Sequence, residues 1–164
     1  MYQRILVPVD GSPTSNHGLA EAIRIAQLTK GKLRLVHVID ELSFAISMDA
    51  YVGYVGDWLQ ELRDAGAILL TEAAAQAAAA GVEAETALRD QFKGPIDEVV
   101  CQEARSWPAD LIVIGTHGRR GVGRFVMGSS AESILRHASV PVLLVRGEAA
   151  APAAPAKVGA TVAA

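Results

Sequence analysis

At 164 residues, 51% hydrophobic, 5% aromatic and 20% charged, the chain suits one globular domain with room for a tail, not two domains. Eighteen acidic against 15 basic residues leave a net charge of -3, which excludes the global positive field of a nucleic-acid or anionic-lipid binder and makes any anion site local. Asp10 cuts the N-terminal apolar stretch too early for a signal-peptide core, no run reaches the ~18 to 20 apolar residues of a membrane span, and a single cysteine, Cys101, excludes an internal disulfide framework.

The chain is therefore expected to be soluble and cytoplasmic, with no nucleic-acid or membrane partner. Its first apolar run, Arg4 to Val9, is nearly continuous and β-branched, the pattern of a buried strand, and it stops at the turn cluster Asp10-Gly11-Ser12-Pro13. Ser12 as N-cap and Pro13 at the first helical position open a helix with Leu19, Ala22, Ile23 and Ala26 on one face and Gly31 as its stop. Lys32 to Ile39 is the next strand, so a βαβ unit with parallel strands begins the sheet.

Ser43 to Asp57 has no clear period and reads as a long loop or lid; its Phe44, Met48, Tyr51 and Tyr54 suit a core or an interface better than adenine stacking. Trp58 to Ala80 is rich in helix formers and stops at Gly81. Val82, Ala84, Thr86 and Leu88 alternate as in a strand, and Gly94-Pro95 opens a helix through Ile96, Val99, Val100 and Ala104 that ends before Pro108. Cys101 on that helix reads as a packed thiol. Leu111 to Ile114 is a buried strand, followed by a glycine-rich loop from Gly115 to Gly128, a short helix from Ser130 to His137 and a last strand, Pro141 to Val145. Strands alternating with helices in this way predict a doubly wound α/β sandwich over 1–146. From Gly147 to Ala164 the chain is mostly Ala, Pro, Gly and Val, with Glu148 and Lys157 as its only charges, a composition expected to form a disordered tail.

Open parallel sheets bind ligands beyond the carboxyl ends of their strands, where strand order reverses. Two loops leave such ends with suitable residues: Pro8-Val9-Asp10-Gly11-Ser12, and Gly115-Thr116-His117-Gly118 running on to Gly128-Ser129-Ser130. Glycines let backbone approach a phosphate, and Ser129 and Ser130 stand where helix N–H groups and the dipole favour an anion. Two known phosphate fingerprints fail. Walker A would need a lysine after Gly128, where Ser129 stands, and the dinucleotide pattern lacks its third glycine at Val126.

The spacing Gly115-x-x-Gly118, nine residues, then Gly128-Ser129 resembles the nucleotide-binding signature of the universal stress protein family. The opening Ile5 to Ser12 and the ending Ser133 to Val145 resemble that family too, so the resemblance runs from Met1 to about Arg146. It implies an open five-stranded parallel sheet of order 3-2-1-4-5 with helices on both faces, akin to the adenine nucleotide alpha hydrolase fold. In the family's ATP-binding branch, Pro8, Val9 and Asp10 would line the adenosine side, with Asp10 facing ribose or a metal on the phosphates. Val38 matches the position whose backbone reads the adenine edge. Gly115, His117 and Gly118 would flank ribose and phosphate, while Gly128, Ser129 and Ser130 would donate to the phosphates. The resemblance further implies ATP with Mg2+ held through the phosphates, and a homodimer; in the implied strand order the last strand, Val142 to Val145, is an edge open to a second copy.

Plainer readings stand beside these. Asp10 could cap the turn, Pro8 could restrain the strand exit, and Arg119, Arg120 and Arg124 suit either phosphate or solvent. His117 without an orienting partner does not define a general base. Three functions follow: an ATP-binding stress-response module acting on an unidentified protein partner, a slow hydrolase or phosphoryl- or adenylyl-transfer enzyme, and a dimeric scaffold that does not use nucleotide.

Overall fold

The computed structural model describes residues 1–40, 55–91, 95–116 and 128–146. Its elements alternate as β1 (Arg4–Pro8), α1 (Pro13–Thr29), β2 (Lys32–Asp40), α2 (Val55–Ala79), β3 (Ala84–Gln91), α3 (Ile96–Ser106), β4 (Leu111–Gly115), α4 (Ser129–His137) and β5 (Val142–Val145). The strands form one five-stranded sheet in the order β3-β2-β1-β4-β5, and every neighbouring pair is parallel. Strand order reverses at β1, whose two neighbours are β2 and β4, and this opens a crevice at the carboxyl end of the sheet.

Alternation along the strands builds two cores. Ile5 and Val7 of β1, with Leu33, Leu35, Leu111 and Val113, pack against Leu19, Ile23, Leu70 and Ala77 of α1 and α2. Leu6, with Val36, Ile112 and Ile114, packs against Val100, Ala104 and Ile134 of α3 and α4. Strands buried on both faces need continuous apolar sequence, which is why β1 and β4 read as unbroken runs.

Local signals set most boundaries. Ser12 caps α1 through Ser15 N–H, with Pro13 in the first turn as expected. At the other end, the left-handed residue is Lys30 (φ 56°), not Gly31. Gly31 is required for another reason: a Cβ there would stand 2.7 Å from the Tyr2 carbonyl oxygen. Helix α2 starts at Val55, three residues inside the expected loop, whose remaining residues lie outside the described set. β3 runs on past Leu88 because Arg89, Asp90 and Gln91 stay in register with Val38, Ile39 and Asp40; an edge strand tolerates charged residues. The expected tail, 147–164, also lies outside the described residues.

Candidate functional site

The first loop is organised by its own polar groups. Val9 N–H donates to Val36 O (2.8 Å), carrying the β1–β2 ladder one residue beyond β1. Asp10 Oδ1 accepts from Ser12 N–H (2.9 Å) while Asp10 N–H donates to Ser15 Oγ (3.1 Å). Asp10 thus shapes the turn, as its plainer reading expects, and remains half-exposed at the strand end. Gly11 is left-handed (φ 77°), so the backbone calls for glycine, while the nearest atom to an added Cβ, Leu69 Cδ1 at 2.8 Å, is the end of a flexible side chain.

The second loop departs and returns at one point. Gly115 ends β4; Thr116 N–H donates to Val145 O (2.9 Å), and Thr116 O accepts from Gly128 N–H (2.8 Å). His117 and Gly118, with Arg119, Arg120 and Arg124, lie outside the described residues. Helix α4 begins at Ser129, one residue earlier than expected, behind an extended Gly128 that offers no side-chain cap. A helix leaves its first N–H groups without intrahelical partners, so the start of α4 presents donors and the positive end of a dipole. Ser129 is exposed and Ser130 half-buried there.

Two glycines bring the loops together. Gly18 of α1 faces Gly115 across a backbone contact, its added Cβ 3.3 Å from Gly115 N, and Gly115 in turn lies against Thr14. Pro8, Val9, Asp10, Gly115, Gly128, Ser129 and Ser130 therefore share the carboxyl end of the sheet on either side of the strand-order reversal. Val38, half-buried near the end of β2, borders the same end. Sequence reasoning missed His37, which is buried and contacts Val9 O through Nδ1 at 2.7 Å. The signal was present: one imidazole among Leu35, Val36, Val38 and Ile39 at the end of an apolar strand.

The family model for the universal stress proteins matches residues 1–146. The chain belongs to the universal stress protein family. A universal stress protein of Staphylococcus aureus (strain USA300) is 35% identical over 147 residues, covering 90% of this chain and 86% of that one. The crystal structure of a universal stress protein from Burkholderia pseudomallei superposes with a TM-score of 0.70 at 33% identity, covering 88% of this chain and 96% of the other. The structure of an Archaeoglobus fulgidus universal stress protein in complex with dAMP superposes with a TM-score of 0.65 at 24% identity, covering 88% and 98%.

Elsewhere in this universal stress protein, Asp97, Ser133 and His137 assemble the residue types of a hydrolytic triad without its wiring. Ser133 Oγ–H donates to Asp97 Oδ2 (2.5 Å), and His137 Nδ1 donates to the Ser133 carbonyl (2.9 Å), so the imidazole nitrogen nearest the hydroxyl already carries a proton. The cluster ties α3 to α4. A second network joins β2, β3 and α3: buried Glu103 accepts from Arg34 and Arg89, and Glu85 accepts from Lys32, Arg34 and Trp107 Nε1. Both are framework. Cys101 is buried, and desolvation pushes its thiol pKa up, as befits packing rather than reactivity. Among the described residues no helix is long and apolar enough to cross a membrane, and no group of three or more His, Cys, Asp or Glu side chains is placed to hold a metal.

Proposed function

We propose that this universal stress protein binds ATP at the carboxyl end of the sheet and works as a nucleotide-dependent stress-response module in the cytoplasm. The observation that carries the reading is the convergence of the two loops at the strand-order reversal, with the uncapped start of α4 beside Gly115 and Thr116. Backbone donors without competing side chains suit an anionic phosphate chain. A fold neighbour in complex with dAMP supports the same ligand class.

On this reading Pro8, Val9 and the Val38 backbone hold the adenosine, Asp10 serves the ribose or a Mg2+ carried by the phosphates, and Gly115, His117, Gly118, Gly128, Ser129 and Ser130 surround the phosphates. The binding unit is 1–146, and 147–164 is a dispensable tail. Two copies pair through β5, and nucleotide occupancy biases contact with a protein partner. The deciding experiment is nucleotide analysis of freshly purified, denatured protein, followed by calorimetry with ATP and Mg2+. Co-purified adenine nucleotide, or saturable ATP binding, is expected; neither would leave the dimeric scaffold as the better reading.

A further inference from the structure

Resting on the nucleotide reading, we infer that His37 is a positioning residue that ends the β1–β2 ladder and so turns the Val38 N–H toward the base. In a parallel strand the C=O of one residue and the N–H two residues on point to the same side. Val36 C=O accepts from Val9 N–H at 2.8 Å, so Val38 N–H points to the β1 side as well, where a continued ladder would pair it with Val9 C=O. His37 Nδ1 reaches that carbonyl oxygen instead, at 2.7 Å. A carbonyl only accepts, so the ring carries a proton on Nδ1.

The imidazole is held where it is. It is buried in β2, where the pairing with β1 stops, on the face where Leu33 and Leu35 pack into the core. Gly66 of α2 lies against it so closely that a Cβ would stand 2.8 Å from His37 Cδ2 and 2.7 Å from Leu88 Cδ1. A leucine would continue the apolar row at this position, and burying a polar ring is unfavourable unless it is hydrogen-bonded. Its bond goes to the carbonyl at which the sheet opens into the crevice. An N–H at a base edge distinguishes purines, because N1 of adenine accepts where N1–H of guanine donates. The role of His37 is therefore base selectivity.

The test compares wild type, His37→Leu and His37→Asn in calorimetric titrations with ATP and GTP. Wild type should favour ATP. His37→Leu should weaken ATP binding about tenfold, the scale of one lost hydrogen bond in a dry site, and bring the ATP-to-GTP ratio toward unity; His37→Asn, whose amide N–H substitutes for Nδ1–H, should recover most of the ratio. A packing defect alone would lower both affinities together, so an unchanged ratio in His37→Leu overturns the role of His37 while leaving the nucleotide reading intact. Wild type that binds neither nucleotide overturns both. Nitrogen NMR of the wild-type ring keeps the inference testable if His37→Leu does not fold: an exchange-protected Nδ1–H that shifts on adding ATP supports it, and an Nε2–H tautomer overturns it.

Discussion

A Cβ on Gly115 would stand 2.7 Å from the carbonyl oxygen of Thr14 and 2.8 Å from its carbonyl carbon. The end of β4 and the first turn of α1 thus meet backbone to backbone, and neither side can swing away as a side chain could. Gly115→Ala should destabilise the fold by about 2 to 3 kcal/mol and separate the two loops. Gly18→Ala, with its nearest contact at 3.3 Å, gains helix propensity and should cost about 1 kcal/mol or less. Urea denaturation measures both, and equal midpoints for the two variants would refute the close approach as the cause.

What the sequence made legible was local. Ser12-Pro13 announces the start of α1, and the runs in β1 and β4 announce strands buried on both sides, because capping and burial act on the residues that display them. Glycine marks both ends of the connection from β4 to α4, Gly115 closing the strand and Gly128 preceding the helix. Features decided by distant contacts were not legible. Lys30 takes the left-handed cap because Gly31 is needed under Tyr2 and Gln3. His37 acquires its role from Val9, and Asp97 meets Ser133 36 residues away. β3 outruns its alternating pattern because β2 continues beside it.

The phosphate assignment depends on glycine, not a branched side chain, at Gly118. Gly118→Val would place carbon where phosphate must approach, so the stabilisation by ATP, about 2.7 kcal/mol at a hundredfold excess over Kd, should vanish while the ligand-free melting temperature holds. Equal ATP affinities for wild type and variant in calorimetry would show that this loop is not the cradle.

β5 is an edge strand whose four residues are all half-buried. An apolar edge invites pairing with a second copy, and inward or outward lysines are the usual block. Val142→Lys and Leu144→Lys should therefore shift the species to monomer in sedimentation velocity. A wild type that is monomeric at micromolar concentration contradicts the β5 dimer outright.

The network joining β2, β3 and α3 sets an acid limit on stability. Lys32, hydrogen-bonded to Glu85 at 2.9 Å, holds that carboxyl below its ordinary pKa, with Arg34 and Trp107 N–H assisting against partial desolvation. A depressed folded-state pKa means that the unfolded chain takes up the proton first as pH falls. The stabilisation is complete above about pH 4.5 and is lost on acidification through the lower, folded value. Glu85→Gln should accordingly flatten stability against pH in that acid window. Glu103, its side chain 5% exposed and paired with two arginines, should be the more damaging loss at neutral pH: Glu103→Gln is expected to cost about 2 to 3 kcal/mol, moderated by the partial exposure of Arg89. Chemical denaturation from neutral pH down to about pH 3 reads both effects.

Turnover separates a switch from an enzyme. Fast phosphoryl transfer, ~1 to 100 per second in kinases, needs an oriented nucleophile and concentrated charge at the phosphates. Ser129 stands where a Walker lysine would follow Gly128. Asp10 already commits Oδ1 to Ser12 N–H, which leaves it poorly disposed to collect a metal by itself. The Asp97–Ser133–His137 cluster supplies no second apparatus, because Ser133 gives its proton to Asp97 rather than to an imidazole. Among the described residues preorganised electrostatic stabilisation is therefore weak, and bound ATP should be hydrolysed well below about one turnover per second. His117→Ala should alter affinity or residual rate only modestly, and Ser133→Ala should leave the rate untouched while loosening α4. Single-turnover assays with labelled ATP and Mg2+ decide the matter: rapid hydrolysis abolished by His117→Ala, with binding retained, would make this protein an enzyme.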